Sequence, residues 1–337
     1  MLHVDLDEFI AAVEIARRPE LAGRPVVVGG AGDPRLRGVV ATASYTARAY
    51  GIRSGMPLRT AATRCPDAVF LPSDPPAYDA VSARVMETLR GLAVVEVLGW
   101  DEAFLGTATN EPEQLAAQVR EAVAAATGLS CSVGIGDNRL RAKIATGFAK
   151  PAGVFRLTRD NWMAVMADRT TDALWGIGAK TARKLADAGI RTVGELARAD
   201  PAELASRFGP TMGPWYRVLA LGAADARVSD APHRARSRSR ETTFQQDVTD
   251  RGELDRHIVE LARRVADDVA DEARRAVRVA VKVRFAPFFT HTRSTTLAAP
   301  TGDAGDLRRA ALAVFDRFDL TRPVRLLGVR AELEPPS

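Results

Sequence analysis

Short apolar runs alternate with stretches of helical period along the first third of the chain, the pattern of a sheet covered by helices. "LHVDL" predicts a strand over residues 2–6, followed by a helix over 8–17 that Arg17, Arg18 and Pro19 bring to an end. "PVVVGG" (25–30) and "GVVATAS" (38–44) read as buried strands, with helices at 45–50 and 57–64. Tyr78, Val81, Val85 and Leu89 recur at helical spacing over 77–92. Two apolar strands, 94–98 and 103–107, flank "GWDE". A helix at 113–127, a strand at 129–136 and a helix at 138–149 follow, the last stopped by Lys150-Pro151.

From 160 to 225 the pattern is helical throughout, with short Gly-containing turns. "DAPHRARSRSRETTF" is poor in large apolar residues and reads as a linker entering a strand. Beyond it, a strand at 241–248 precedes a helix over 251–275 striped by Leu254, Ile258, Leu261, Val265 and Val269. "VRVAVKVRF" (277–285) alternates strictly, as a half-buried strand should. A strand at 290–297, a helix at 306–318 and a strand at 324–333 complete β-α-β-β-α-β, a split βαβ arrangement and a domain of its own. The fold class is therefore α/β (α+β).

Composition narrows the picture. At 337 residues and 46% hydrophobic content the chain can hold more than one sizeable core, which excludes a disordered protein. No apolar run reaches bilayer-spanning length and the N-terminus shows no charged-then-apolar leader, so the expected location is the cytoplasm, with no membrane partner. Two cysteines, Cys65 and Cys131, are too few for a disulfide framework and lack zinc spacing. The net charge of +5 suits a polyanionic partner, though many basic proteins bind none.

Three carboxylates stand out: Asp5 in the first strand, and the adjacent Asp101 and Glu102 beside the turn of an apolar hairpin. If those strands are neighbours, the acids converge on one sheet edge, where they repel one another unless a cation neutralises them. An all-oxygen cluster suits Mg²⁺, and two such ions can activate an attacking hydroxyl and stabilise a leaving pyrophosphate. Spacing alone leaves a second reading open, in which Asp5 and Asp7 end a strand and Asp101 and Glu102 are turn residues.

"HVDLDEFIAAVE", "VVATASYTARAYGIRSGMPL", "GWDEAFLG" and "CSVGIGDNRLRAKIATGFAKPAGV", in this order, resemble the Y-family translesion DNA polymerases, in the branch of DNA polymerase IV. The resemblance covers essentially the whole chain. It implies a right-hand polymerase: a palm from 1–10 and 74–160, small fingers at 11–73, and a helical thumb at 161–228 with a helix-hairpin-helix. A linker at 229–240 and a β-α-β-β-α-β little finger at 241–337 would follow. It also implies low-fidelity, template-directed synthesis for translesion and repair, with two-metal nucleotidyl transfer to a primer 3′-hydroxyl. The partners would be primer-template DNA and dNTPs. Asp5, Asp101 and Glu102 match the family's catalytic acids, and the Leu6 carbonyl would complete the ligands of two Mg²⁺, with Mn²⁺ suiting the same oxygens. Asp7 is expected to cap the following helix. Phe9, Thr42, Tyr45, Arg48 and Lys150 match positions around the incoming nucleotide, with Arg48 able to grip phosphate bidentately.

"LWGIGAKTARKLADAGIRTVGELA" looks like a helix-hairpin-helix, whose Gly176 and Gly178 turn and Lys180 would meet a DNA phosphate. Arg234, Arg236, Arg238 and Arg240 alternate and would line one side of an extended chain; Arg278, Lys282 and Arg284 do the same opposite a Val face. A solvated sheet face is the alternative reading of both.

Departures from the family pattern are informative. Ile10 stands where an aromatic residue normally excludes ribonucleotides, so weak sugar discrimination is expected and rNTPs join the partners; bulky neighbours of Ile10 could restore exclusion. Gly99 and Phe104 replace a more usual Ser and Tyr without removing a carboxylate. The ending "ELEPPS" lacks the family's sliding-clamp motif, which puts clamp binding in doubt, and a monomer is expected. The contrasting reading is a catalytically inactive DNA-binding scaffold, against which retention of all three acids argues.

Overall fold

The described residues of the computed structural model are 1–232 and 234–335; His233 in the expected linker and Pro336 and Ser337 of the tail lie outside them. The chain divides into two units, Met1–Asp33 with Gly38–Ala231, and Pro34–Arg37 with Pro232–Ser337. In the first, β1 (Leu2–Leu6), α1 (Phe9–Arg17), β2 (Val26–Val28), β3 (Thr42–Ala43), α2 (Tyr45–Arg48), α3 (Leu58–Arg64) and β4 (Val69–Leu71) come first. Next are α4 (Pro75–Arg90), β5 (Val94–Val97), β6 (Glu102–Gly106), α5 (Pro112–Thr127), β7 (Cys131–Gly136), α6 (Arg139–Ala149) and β8 (Val154–Leu157). Five helices close the unit: α7 (Trp162–Met166), α8 (Ala179–Asp187), α9 (Val193–Arg198), α10 (Pro201–Phe208) and α11 (Met212–Ala220).

A five-stranded sheet in the order β5-β6-β1-β7-β8 is the frame of this unit, and a small sheet β3-β2-β4 stands beside it in the chain. On β1, Leu2, Val4 and Leu6 point into a core shared with Tyr78, Val85 and Leu89 of α4 and Val119 and Val123 of α5. Period-2 alternation therefore sends His3 and Asp5 to the opposite face, where α6 lies. Asn138 caps α6 by accepting the Arg141 N–H at 2.9 Å. Gly134 lets α6 approach β7: a Cβ there would stand 2.1 Å from the Ala142 carbonyl oxygen. The helices α7–α11 bury Trp162, Leu185, Leu196, Leu204 and Leu219 in a second core that Leu140 and Ile144 of α6 and Leu157 of β8 complete.

Three expectations need correction. The strand read over 38–44 is reduced to Thr42–Ala43, because Val40 exchanges hydrogen bonds with Gly55 and Met56 instead of extending a ladder. Strands β4 and β8 went unpredicted; at three and four residues they are too short to show alternation. The last sheet begins at Ser237, so Ser237–Arg240 are strand and not linker.

The second unit comprises β9 (Ser237–Val248), α12 (Arg251–Asp271), β10 (Ala276–Phe285), β11 (Phe289–Thr301), α13 (Ala304–Phe315) and β12 (Val324–Leu333). Its sheet runs β11-β10-β12-β9, so each βαβ unit encloses one strand of the other, the split arrangement expected. Valines 279, 281 and 283 face α12 and α13. Among the described residues no helix is long and apolar enough to cross a membrane.

Two predictions follow from the packing of α6. Gly134→Ala forces the helix off the sheet and lowers stability by about 2 kcal/mol, read as a lower urea midpoint at unchanged slope. Arg139 donates to both Glu96 carboxylate oxygens at 2.6 Å, and this holds the Glu96 carboxyl below the usual carboxylate range. A depressed carboxyl adds stability above its unfolded-state pKa that is lost as pH falls through the folded value. In Glu96→Gln the urea midpoint is accordingly lower at neutral pH, and falls less than the parent's on acidification.

Candidate active site

Pairing of β1 with β6 sets Asp5 directly opposite Glu102, and the Leu6 N–H donates to the Asp101 carbonyl at 2.8 Å. The hairpin between β5 and β6 thus delivers both acids beside the first strand, from a hundred residues away. Burial, then the charges of Asp5 and Glu102, push the Asp101 carboxyl up. Glu102 behaves oppositely: hydrogen bonding from His3 and then Lys143 brings it down to about 2. His3 is fully buried, which favours its neutral form; its Nδ1 meets the Thr146 hydroxyl at 2.9 Å and its Nε2 lies 3.5 Å from Glu102.

Two ammonium groups complete the cluster. Lys143 pairs with Glu102, and Lys150, just past the end of α6, pairs with Asp5. As they stand, and among the described residues, no three His, Cys, Asp or Glu side chains form a ligand set. The donors nevertheless fit a divalent ion: three carboxylates on two adjacent strands and the turn between β5 and β6, all oxygen, one of them pushed up by burial and its neighbours' charge. The lysines mark where positive charge is required.

Asp7 does not cap α1. It is buried and accepts hydrogen bonds from the Ser130 and Ser132 hydroxyls at 2.9 and 2.8 Å, the Ala152 N–H at 3.0 Å and the Tyr45 hydroxyl at 3.1 Å. Glu8 occupies the position before the helix, in a left-handed conformation with φ +43° and no side-chain cap. Its carboxylate instead accepts from the Tyr45 N–H. Burial and Asp7 together raise the Tyr45 hydroxyl pKa, so that hydroxyl stays a donor. The Arg48 guanidinium lies 5.0 Å over the Tyr45 ring and donates to the Ala43 carbonyl at 2.9 Å. Thr42, Tyr45 and Arg48 are thereby collected on one short stretch tied to the end of β1. Phe9 is buried edge-on to Tyr78, and half-buried Ile10 packs on the same core.

Gly176 takes φ +103°, Gly178 stands just before α8, and Lys180 is exposed on its first turn. The arginine ladder needs revision. Arg238 and Arg240 lie opposite Ala331 and Val329, on the helix-bearing face of their sheet. There Arg238 pairs with Glu272, and Arg240 donates to Asp268 at 2.6 Å, both on or beside α12. Arg278, Lys282 and Arg284 project from the other, open face, where Lys282 pairs with Glu241 at 2.8 Å. Arg234 and Arg236 are exposed ahead of the strand.

Sequence reasoning missed His3, Lys143 and the role of Asp7. Lys143 was within reach: it sits seven residues before Lys150, two helical turns along one face.

Comparison with known proteins is consistent from end to end. Residues 4–147 match the impB/mucB/samB family model, residues 235–333 its C-terminal domain, and residues 172–211 a SAM-like helix-hairpin-helix tandem. DNA polymerase IV 2 of Mycobacterium tuberculosis is 54% identical, over 99% of this chain and 97% of the relative. The chain belongs to the Y-family of DNA polymerases. It sits in the DNA polymerase IV branch, and is a DNA-directed DNA polymerase of the translesion type. A solved Y-family polymerase chimera of Dbh and Dpo4 superposes with TM-score 0.85 at 25% identity, over 98% of each chain. An insertion ternary complex of Dbh DNA polymerase matches with TM-score 0.68 at 25% identity, again over 98% of each. The mixed α/β, palm, fingers, thumb and little-finger architecture of this Y-family polymerase is that of the family.

Removing the Asp7 carboxylate leaves the buried Ser132 hydroxyl and the half-buried Tyr45 hydroxyl without their acceptor, while the exposed Ser130 and Ala152 donors can turn to water. Asp7→Ala should lower unfolding stability by roughly 3 kcal/mol, with Asp7→Asn recovering part of it, as read by urea denaturation.

Proposed function

We propose that this polymerase extends a primer 3′-hydroxyl on template DNA with low fidelity, using two Mg²⁺ held by Asp5, Asp101, Glu102 and the Leu6 carbonyl. The observation that carries this is the pairing of Asp5 against Glu102 with Asp101 in the adjoining turn, a crowding of negative charge that needs cations. Ions held by these residues would supply activation of the attacking hydroxyl and charge neutralisation for the departing pyrophosphate. The chain's own part is positioning. Thr42, Tyr45, Arg48 and Lys150 take the triphosphate oxygens, Arg48 with its fork and Lys150 as a point charge released from Asp5. The Tyr45 hydroxyl, which donates to Asp7 in this structure, leaves that carboxylate to donate to phosphate.

Ile10 lies beside the sugar in this reading, and its missing ring leaves room for a 2′-hydroxyl. Phe9 cannot substitute, since its own ring is buried against Tyr78. The enzyme therefore accepts rNTPs as well as dNTPs. Palm (1–10, 74–160), fingers (11–73) and thumb (161–228) keep the bounds read from the sequence, and the little finger starts at Ser237. DNA is gripped by the Gly176–Gly178 turn, Lys180, Arg234, Arg236 and the open face bearing Arg278, Lys282 and Arg284. Arg238 and Arg240 are committed to α12. The enzyme works in the cytosol as a monomer.

Primer extension with dNTPs and rNTPs in parallel, in Mg²⁺ and in Mn²⁺, tests the reading. Ile10→Phe should cut ribonucleotide addition by about tenfold or more while sparing dNTPs; a parent that takes only dNTPs removes the sugar-gate reading alone. The double substitution Asp101→Ala/Glu102→Ala should abolish synthesis with primer-template binding retained, and persistent synthesis would sink the metal assignment.

A further inference from the structure

The β10–β11 hairpin of the second unit ends in two exposed rings, Phe288 at 64% and Phe289 at 53% of full exposure. Each is backed by guanidinium groups: Arg325 lies 4.6 Å and Arg284 6.0 Å from the Phe288 centroid, and Arg322 lies 4.9 Å from that of Phe289. Below Phe289 opens a cleft of about 440 Å³, lined by Phe285, His291, Phe318, Arg293 and Arg322, with Asp319 its one carboxylate. Strand alternation puts Phe285, His291 and Arg293 on the helix-bearing side of the sheet, away from the open face that carries Lys282. None of these rings is used by the reaction described above.

Two exposed aromatic faces with cations at their backs form a platform of alternating π-surface and positive charge. That matches single-stranded nucleic acid, which offers a flat base and one phosphate per repeat. An apolar peptide segment would gain from the rings but would leave the surrounding guanidinium groups unpaired. We propose that this hairpin and cleft are a stacking site for unpaired bases of single-stranded DNA, adjoining the duplex-gripping face at Arg284. The proposal rests on the polymerase reading, since a copied template supplies the single strand.

The test uses the full chain and a fluorescein-labelled oligo(dT), with a second oligonucleotide carrying 2-aminopurine, whose emission is quenched when it stacks. Phe288→Leu/Phe289→Leu keeps apolar bulk without rings, and Phe288→Ala/Phe289→Ala removes both. Both pairs should weaken oligo(dT) binding by about tenfold to a hundredfold and abolish the quench, while primer extension on a template with a single-nucleotide overhang stays at the parent rate. Unchanged affinity and quench in the Ala pair would overturn the stacking site. Loss in the Ala pair but not in the Leu pair would also overturn it, since apolar bulk and not a ring face would then hold the strand. Failure of the parent to extend primers would instead count against the polymerase reading, which the binding measurement does not touch.

Discussion

Three carboxylates gathered on two neighbouring strands and the turn beside them is the arrangement on which the rest of the first unit depends. Like charges at such range destabilise a fold unless compensated, and the compensation here is built from α6. That helix can present Lys143 and lead to Lys150 only because Gly134 allows close approach to β7 and Asn138 starts it in register. The sheet order, with β1 central and β6 and β7 on either side, serves the same arrangement. It puts the first strand where acids from the hairpin and cations from the helix can both reach it.

Much of this was legible in the chain. The alternation of Leu2, Val4 and Leu6 against His3 and Asp5 already separates a core face from a chemical face. The ordered motifs gave the family, and the helical stripe and strict alternation beyond residue 250 gave the second unit its elements. What could not be read was contact across sequence distance. Asp7 stands where the sequence alone places a helix cap, yet its carboxylate oxygens are claimed by Ser130, Ser132, Ala152 and Tyr45, all remote in the chain. Local rules propose the nearest donor; packing supplied nearer ones. Strands β4 and β8 escaped for a different reason, since three or four residues cannot display a period.

The arginines of the second unit show the same limit in another form. Alternation predicted correctly that Arg238 and Arg240 share a side, but parity does not say which side of the sheet that is. The register with β12 decides it, placing them over Val329 and Ala331 and within reach of α12. Long guanidinium side chains can run along the edge of an apolar face and end in ion pairs, so a charged residue on the core side carries no contradiction.

The pairing of Lys282 with Glu241, and of Arg278 and Arg330 with Glu332, has a consequence for any polyanion that meets the open face. A side chain already neutralised by a carboxylate holds little of the ionic atmosphere that free cations gather. A phosphate arriving there exchanges one partner for another and liberates few small ions. The salt dependence of such binding is then shallower than a tally of basic residues implies. A polyanion drawn to that face would thus trade partners with Glu241 and Glu332 instead of stripping counterions from bare cations.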